Sequence, residues 1–296
     1  MALTDLTGRN AFITGGASGI GLGMAQAFVR AGMRVMIADI WQAHIDDALA
    51  MFEERGQRDQ VEAILLDVSD RAAFAAAADE FERRVGKLHL LCCNAGLGAG
   101  GRVKDTTYKD WDWALGVMIG GTVNGLVNFV PRMIAHGEGG HVVVTSSMAG
   151  VLQPIMKGGI TYATGKAAQI GLVEMARYDL AEDNIGISAL IPGPVQSNIF
   201  KIGRTRPERF ANDAPPPPPR RIDPDPRWMD PETVGDMVVK GVLENQLYIF
   251  THGMFRQGME EKFDKLLRSL PTTPDDPDLL QDLSIFLSNP IYAADA

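Results

Sequence analysis

Thr14-Gly15-Gly16-Ala17-Ser18-Gly19-Ile20-Gly21 decides the fold of this chain. The octet follows a short apolar run, Arg9-Asn10-Ala11-Phe12-Ile13-Thr14, and opens a helical stretch from Ile20 to Ala31. Glycines between a strand and a helix permit a tight turn, and they let backbone N–H groups and the helix N-terminus approach a pyrophosphate. The spacing Gly15-x-x-x-Gly19-x-Gly21 differs from the six-residue G-x-G-x-x-G form, and no Gly-Lys-Ser/Thr follows as a triphosphatase loop needs. Taken alone, a glycine turn before a helix is as often only a turn.

The residues around it extend the pattern. Arg34 to Asp39, Val61 to Leu66, Leu88 to Cys93, His141 to Ser146, Ile185 to Ile191 and Leu247 to Thr251 have strand length and are apolar. Helical segments lie between them: Trp41 to Arg55, Asp70 to Val85, the region 108–136, Tyr162 to Ala181, and a stretch opening at Asp230-Pro231-Glu232, where proline suits the first turn. Such alternation predicts an α/β fold, a single Rossmann-type doubly wound parallel sheet with helices on both faces. A last helix runs from Phe255 to Leu270. The expected organisation is one nucleotide-binding and catalytic domain over 1–270 with a long loop at 200–228, followed by a C-terminal extension, 271–296. Five prolines, Pro215 to Pro219, favour an extended stretch in that loop.

Asp39 ends the second strand eighteen residues after Gly21, near the ~20 expected for the acid that holds the adenine ribose hydroxyls. A carboxylate there repels a 2'-phosphate, Ile40 follows it and Ser18 precedes Gly19, so NAD is favoured over NADP. A helix N-cap before Trp41 is the plainer role, and the two are compatible. Asp67-Val68 and Asn94-Ala95-Gly96 also fall at strand C-termini, the edge where open α/β sheets bind ligands.

Tyr162 and Lys166 are four apart on a helix and share a face. Ionising a tyrosine of pKa ~10 at neutral pH costs about 4 kcal/mol. One positive charge at ~5 Å and an effective dielectric of ~20 returns roughly 3 kcal/mol, and an oxidised nicotinamide adds further positive charge. Tyr162 can then take the proton of an alcohol while hydride leaves carbon. Ser147, after the fifth strand, can hydrogen-bond the substrate oxygen.

The composition fits this reading. The chain has 296 residues, 46% hydrophobic and 22% charged, which excludes wholesale disorder. A formal charge of -9 argues against nucleic acid as a partner. Cys92 and Cys93 are adjacent and read as buried thiols in a reducing compartment. Met1 to Asp5 shows no basic region or apolar signal core, so a cytoplasmic protein is expected. Trp113 to Pro131 is uncharged, but Asn124, Asn128 and its glycines point to a buried helix and not a membrane span. Five histidines show no metal-ligand spacing, so no metal is expected.

With these motifs in order, the sequence resembles the short-chain dehydrogenase/reductase family over most of its length. The resemblance implies that the Gly15–Gly21 loop, with Ser18, Gly19 and Ile20, binds the pyrophosphate and Asp39 the adenosine ribose. It implies that Asp67 and Val68 flank adenine, and that Asn94, Ala95 and Gly96 support the sheet edge. Pro192, Gly193 and Val195 would line the nicotinamide, with Ser197 where a threonine commonly meets its amide. The implied roles of Ser147, Tyr162 and Lys166 match those reasoned above, and Lys166 would also bind the nicotinamide ribose.

Some positions depart from the family. Met118 stands where a catalytic asparagine helps hold a water in a proton relay from the lysine, and Asn124 lies on the wrong side of the helix to replace it. Gly165 replaces a usual serine, Cys93 replaces an asparagine, and the stretch from Ser147 to Tyr162 is longer than typical, which reshapes the pocket rim.

Phe129 to Ala135, Ser197-Asn198-Ile199, Arg206 to Phe210 and Leu247 to Gly253 are similar to the NAD-dependent Cα-dehydrogenases of lignin-derived β-aryl ethers, which oxidise a benzylic secondary alcohol to the ketone. Phe200, Phe210, Ile222 and Trp228 in the substrate loop suit a large, partly aromatic substrate. The alternatives are a dehydrogenase of steroids or other fused-ring alcohols, and an NAD-binding homologue whose catalysis Met118 impairs. The resemblance further implies a homodimer or homotetramer built on the 108–136 and 162–181 helices, with Ile170, Leu172, Val173, Met175 and Ala176 facing either a partner or the sheet.

Overall fold

The computed structural model describes residues 3–98, 101–153, 158–199, 206–212 and 225–272, with 276, 278, 281, 283 and 289–292 beyond them. Phe200, Pro215 to Pro219 and Ile222 lie outside the described residues. So does part of the longer stretch between Ser147 and Tyr162, at 154–157.

Seven strands form one parallel sheet: β1 (Asn10–Thr14), β2 (Arg34–Asp39), β3 (Val61–Leu65), β4 (Leu90–Cys93), β5 (Gly140–Thr145), β6 (Ile185–Ile191) and β7 (Tyr248–Phe250). The helices that connect them are α1 (Gly19–Arg30), α2 (Gln42–Glu54), α3 (Arg71–Arg84), α4 (Tyr108–Leu115), α5 (Gly121–His136), the short α6 (Met148–Val151), α7 (Ile160–Ala181) and α8 (Pro231–Leu243). The strand order is β3-β2-β1-β4-β5-β6-β7, the doubly wound arrangement expected from the strand–helix alternation. Chain direction across the sheet reverses between β1 and β4, and that switch point is where open α/β sheets form a crevice. β4, β5 and β6 are buried along their whole length. A parallel sheet covered on both faces requires such continuous apolar runs.

The two faces come from strand alternation. Ala11 and Ile13 of β1 point into a core shared with Met24 and Phe28 of α1, Ile45 and Phe52 of α2, and Val234 and Val238 of α8. Phe12 points the other way. Its ring lies 6.1 Å from Phe74 and 5.7 Å from Phe81 of α3, and 4.8 Å from Phe129 of α5. Caps fix the helix starts. Asp70 accepts from Ala73 N–H, and Asp230 accepts from Glu232 and Thr233 N–H with Pro231 in the first turn.

The apolar run 108–136 is a core helix with an interruption. Thr107 and Asp110 form a capping box at the start of α4, and residues Gly116–Gly120 wind as a π-helical turn before α5 continues. Trp113, Met118, Thr122, Asn124 and Phe129 are buried. Asn124 donates to the Val68 carbonyl at 2.8 Å, which binds α5 to the loop that follows β3.

By contacts the chain divides into Met1–Thr251 and His252–Ala296. The first unit holds the sheet. The second contains α9 (Arg256–Leu267), which has no buried residue.

Candidate active site

A cleft opens at the C-terminal ends of β1 and β4. Fourteen of the residues singled out in the sequence line it: Gly15, Ser18, Gly19, Ile20, Asp39, Asp67, Val68, Asn94, Ala95, Gly96, Tyr162, Lys166, Pro192 and Ser197. Gly15 and Gly19 have φ of +62° and +51°, a left-handed backbone that side chains disfavour. Gly21 lies behind the turn, not in the cleft. A Cβ there would stand 2.0 Å from the Gly15 carbonyl oxygen, so this glycine lets the turn lie flat on α1. Val195 is buried in the core and bridges Met229, and Gly193 N–H donates to Thr251 Oγ1 at 3.0 Å.

Asn94 ties three strands together. Its Nδ2 donates to the carbonyls of Thr14 (3.0 Å) and Gly15 (3.2 Å), and its Oδ1 accepts from Thr145 Oγ1 at 3.1 Å. Thr14 Oγ1 accepts from the N–H groups of Asn94 (2.9 Å) and Ala95 (3.0 Å).

Asp39 is 8% exposed. Its Oδ2 accepts from Ala17 N–H (3.3 Å) in the glycine turn and its Oδ1 from Trp41 N–H (3.1 Å). Trp41, not Asp39, occupies the N-cap of α2. Burial pushes the Asp39 carboxyl up, against the backbone bonds from Trp41 and Ala17 and the nearby His44, which lower it. His44 Nδ1 is 4.0 Å from Oδ1, and the His44 ring sits 4.3 Å from that of Trp41. Ile40, next in sequence, does not reveal this neighbour. The basic residue is one helical turn further on.

Tyr162 and Lys166 share a face of α7, with Nζ 5.8 Å from the phenol ring centroid. Ser147 hydrogen-bonds the Tyr162 side chain and also accepts from Ala149 N–H at 3.1 Å. Lys166 is buried, donates to the Thr145 carbonyl at 2.6 Å, and is lowered to about 7 by burial. Burial also pushes the Tyr162 phenol up, against the Ser147 bond that pulls it down. Spacing alone suggests the opposite, since a fully charged lysine in a polarisable medium would favour the tyrosinate. Desolvation of both groups dominates instead.

Of the apolar wall beside this pair the sequence singled out only Phe210 for the substrate. Leu97, Trp113, Ala114 and Met118 form a buried cluster with Val117, Phe210 and Tyr162 packed on it. The segment 206–212 packs against the outer side of this wall. Arg206 lies 4.8 Å over the Trp113 ring and pairs with Asp110 at 2.8 Å, and Arg209 pairs with Asp67 at 2.6 Å. No periodicity announces such contacts, because the segment lies some hundred residues from α4.

Comparison with known proteins agrees with this architecture. The family model for short chain dehydrogenase matches residues 9–207. The chain belongs to the short-chain dehydrogenase/reductase family, and it is an oxidoreductase. It is 37% identical over 281 residues to a C alpha-dehydrogenase of Sphingobium sp. (strain NBRC 103272 / SYK-6), covering 93% of this chain and 91% of that one. The apo form of LigD from Sphingobium sp. strain SYK-6 superposes with a TM-score of 0.76 at 35% identity, over 91% of this chain and all of the other. A family member from Burkholderia phymatum, solved in complex with NAD, gives 0.83 at 30% identity over 93% and 100%. The family uses NAD(P).

Proposed function

We propose that this chain oxidises a bulky benzylic secondary alcohol to the ketone with NAD, in the manner of a β-aryl ether Cα-dehydrogenase. The observation that carries the reading is the wall of Leu97, Trp113, Val117 and Phe210 packed beside Tyr162. An apolar, aromatic surface next to a proton acceptor suits an aryl ring attached to the reacting carbinol. The similarity to the Sphingobium C alpha-dehydrogenase supports the same substrate class.

The residues present fit the cofactor. The left-handed Gly15–Gly19 turn and the N-terminus of α1 would hold the pyrophosphate, with Ser18 and Ile20 beside it. Asp39 would take the adenine ribose hydroxyls, with Asp67 and Val68 beside the base. Asn94, Ala95 and Gly96 form the floor, and Pro192, Gly193, Val195 and Ser197 carry the segment at the nicotinamide end. When bound, NAD supplies the hydride acceptor. Tyr162 accepts the alcohol proton, Ser147 holds the substrate oxygen against it, and the Lys166 charge favours the tyrosinate. The residues assigned here all lie in the unit Met1–Thr251, within the 1–270 expected for the catalytic domain. Exposed Val123 and Val127 on α5 and Met175 and Tyr178 on α7 support assembly as a homodimer or homotetramer through those helices, while Val173 faces the sheet.

The test follows NADH formation at 340 nm with a panel of β-aryl ether alcohols and fused-ring alcohols. Turnover of the aryl alcohols is expected, and Tyr162→Phe abolishes it while NAD still binds. Preference for fused-ring alcohols would overturn the substrate class, and turnover surviving Tyr162→Phe would overturn the mechanism.

A further inference from the structure

The buried side of Lys166 carries a polar network that no motif announces. Gln169, fully buried and three residues beyond Lys166 on α7, accepts from Lys166 Nζ through Oε1 at 3.1 Å. Its Nε2 donates to the Met118 carbonyl at 3.1 Å and to Thr122 Oγ1 at 3.2 Å. Thr122 Oγ1 in turn donates to that same carbonyl at 2.7 Å. The amide therefore uses both donors and its acceptor. The opposite orientation would set Nε2 against the ammonium, donor against donor, so only one orientation is compatible.

The Met118 carbonyl comes from the π-helical turn, a wider winding than the helices on either side. The same turn lays the Met118 side chain on Gly165. A Cβ at 165 would stand 2.6 Å from Met118 Cε and 3.1 Å from Sδ. The unusual residues at 118 and 165 are thus a matched pair, and the polar link from this turn to Lys166 comes from the lysine's own helix.

We propose that Gln169 is a positioning residue for the Tyr162–Lys166 pair: its amide tethers the Lys166 ammonium to the Met118 carbonyl, fixing Nζ beside Tyr162 and favouring the charged form. This rests on the dehydrogenase reading above. Of the three donors on Nζ, one goes to the Thr145 carbonyl and one to Gln169, which leaves the third for the cleft. Burial alone drives this lysine toward neutrality, and the two acceptors oppose that drive. Among the described residues the titratable group beside it is Tyr162, and the Cys93 thiol lies behind Thr122, donating to its carbonyl at 3.9 Å. The thiol is pushed up to about 12 by burial and stays neutral. Among the described residues Lys166 forms no ion pair.

The test reads Lys166 directly, without substrate or cofactor. The full chain is labelled with 13Cε-lysine and titrated by NMR, the buried lysine being assigned by its loss in Lys166→Met. Gln169→Leu keeps the volume and leaves the Thr122–Met118 bond in place. It is expected to lower the Lys166 midpoint by about one pH unit, the worth of one charge-assisted hydrogen bond. The alkaline limb of the kcat/KM profile should move down equally. Thr122→Val, which removes one anchor of Nε2 but not the bond to Nζ, should give a smaller shift of the same sign and serves if Gln169→Leu does not fold. An unmoved midpoint in a folded variant overturns the tether. If the parent forms no NADH with any alcohol, the dehydrogenase reading fails instead, and the NMR midpoint still decides the tether.

Discussion

Replacing Asp39 by asparagine separates the two demands on this carboxylate. In the folded chain its oxygens accept from Ala17 and Trp41 N–H. An amide has one oxygen, so its NH2 must face one of those N–H groups, in a site only 8% exposed. Leaving a buried donor unpaired costs about 2 kcal/mol, which lowers Tm by roughly 4–8 °C for a domain of this size. The electrostatic consequence is larger. A carboxylate and a 2'-phosphate ~4 Å apart at an effective dielectric of ~20 repel by about 4 kcal/mol per unit charge pair. If the proposed choice of NAD rests on it, losing that repulsion narrows the ratio of NAD to NADP affinity by a factor on the order of 10³. NAD itself should weaken only about tenfold, since neutral hydrogen bonds replace charge-assisted ones. Titration calorimetry with both dinucleotides at fixed ionic strength measures the ratio, and a thermal melt measures the stability loss. A preference unchanged within twofold would refute Asp39 as the residue that discriminates the ribose.

Other perturbations test other levels. Gly235→Ala places a Cβ 2.2 Å from the Gly23 carbonyl oxygen where α1 and α8 cross, so it should cost about 3 kcal/mol and lower Tm by roughly 6–12 °C. Gly171→Ala, with nothing within 4 Å of the new carbon, should instead raise Tm slightly through helix propensity. Asp110 is held at about 2, its backbone and side-chain bonds from Thr107 and Arg206 outweighing burial. Its stabilisation is therefore present above the unfolded carboxylate range and lost as pH falls through about 2. Asp110→Asn should show a urea-unfolding deficit that is full at pH 5 and shrinks with acid. Burial raises both cysteine thiols, Cys93 to about 12, so Ellman's reagent at pH 8 should find no thiol until the chain unfolds.

Most of the sheet was legible because parallel strands buried on both faces must be apolar throughout, and their ends shifted by at most two residues between sequence and structure. The β1–α1 turn was legible because glycine spacing is a backbone property. The Tyr162–Lys166 pair was legible because four residues on a helix set a geometry. Apart from Phe210, the apolar wall beside Tyr162 was not, and neither was the Gln169 network. Arg206 reaches Trp113, and Gln169 reaches Met118, across sequence distances over which no period carries information. His44 escaped notice for a local reason: α2 turns it back toward Asp39, although Ile40 and Trp41 separate the carboxylate from the helix. Burial moves the Tyr162 phenol up where spacing to Lys166 alone points down. Spacing reveals a partner's distance and not how dry the site is.

The contact between Met118 and Gly165 also constrains how such a site can change. With methionine at 118, a side chain at 165 must displace the thioether end. With a short residue at 118, glycine at 165 leaves a void in the buried layer. The two positions are therefore epistatic. A side chain gained at 165 moves the thioether end or favours a smaller residue at 118, and a smaller residue at 118 alone leaves unfilled volume. Exchanging both residues together should accordingly cost less stability than the sum of the two single exchanges.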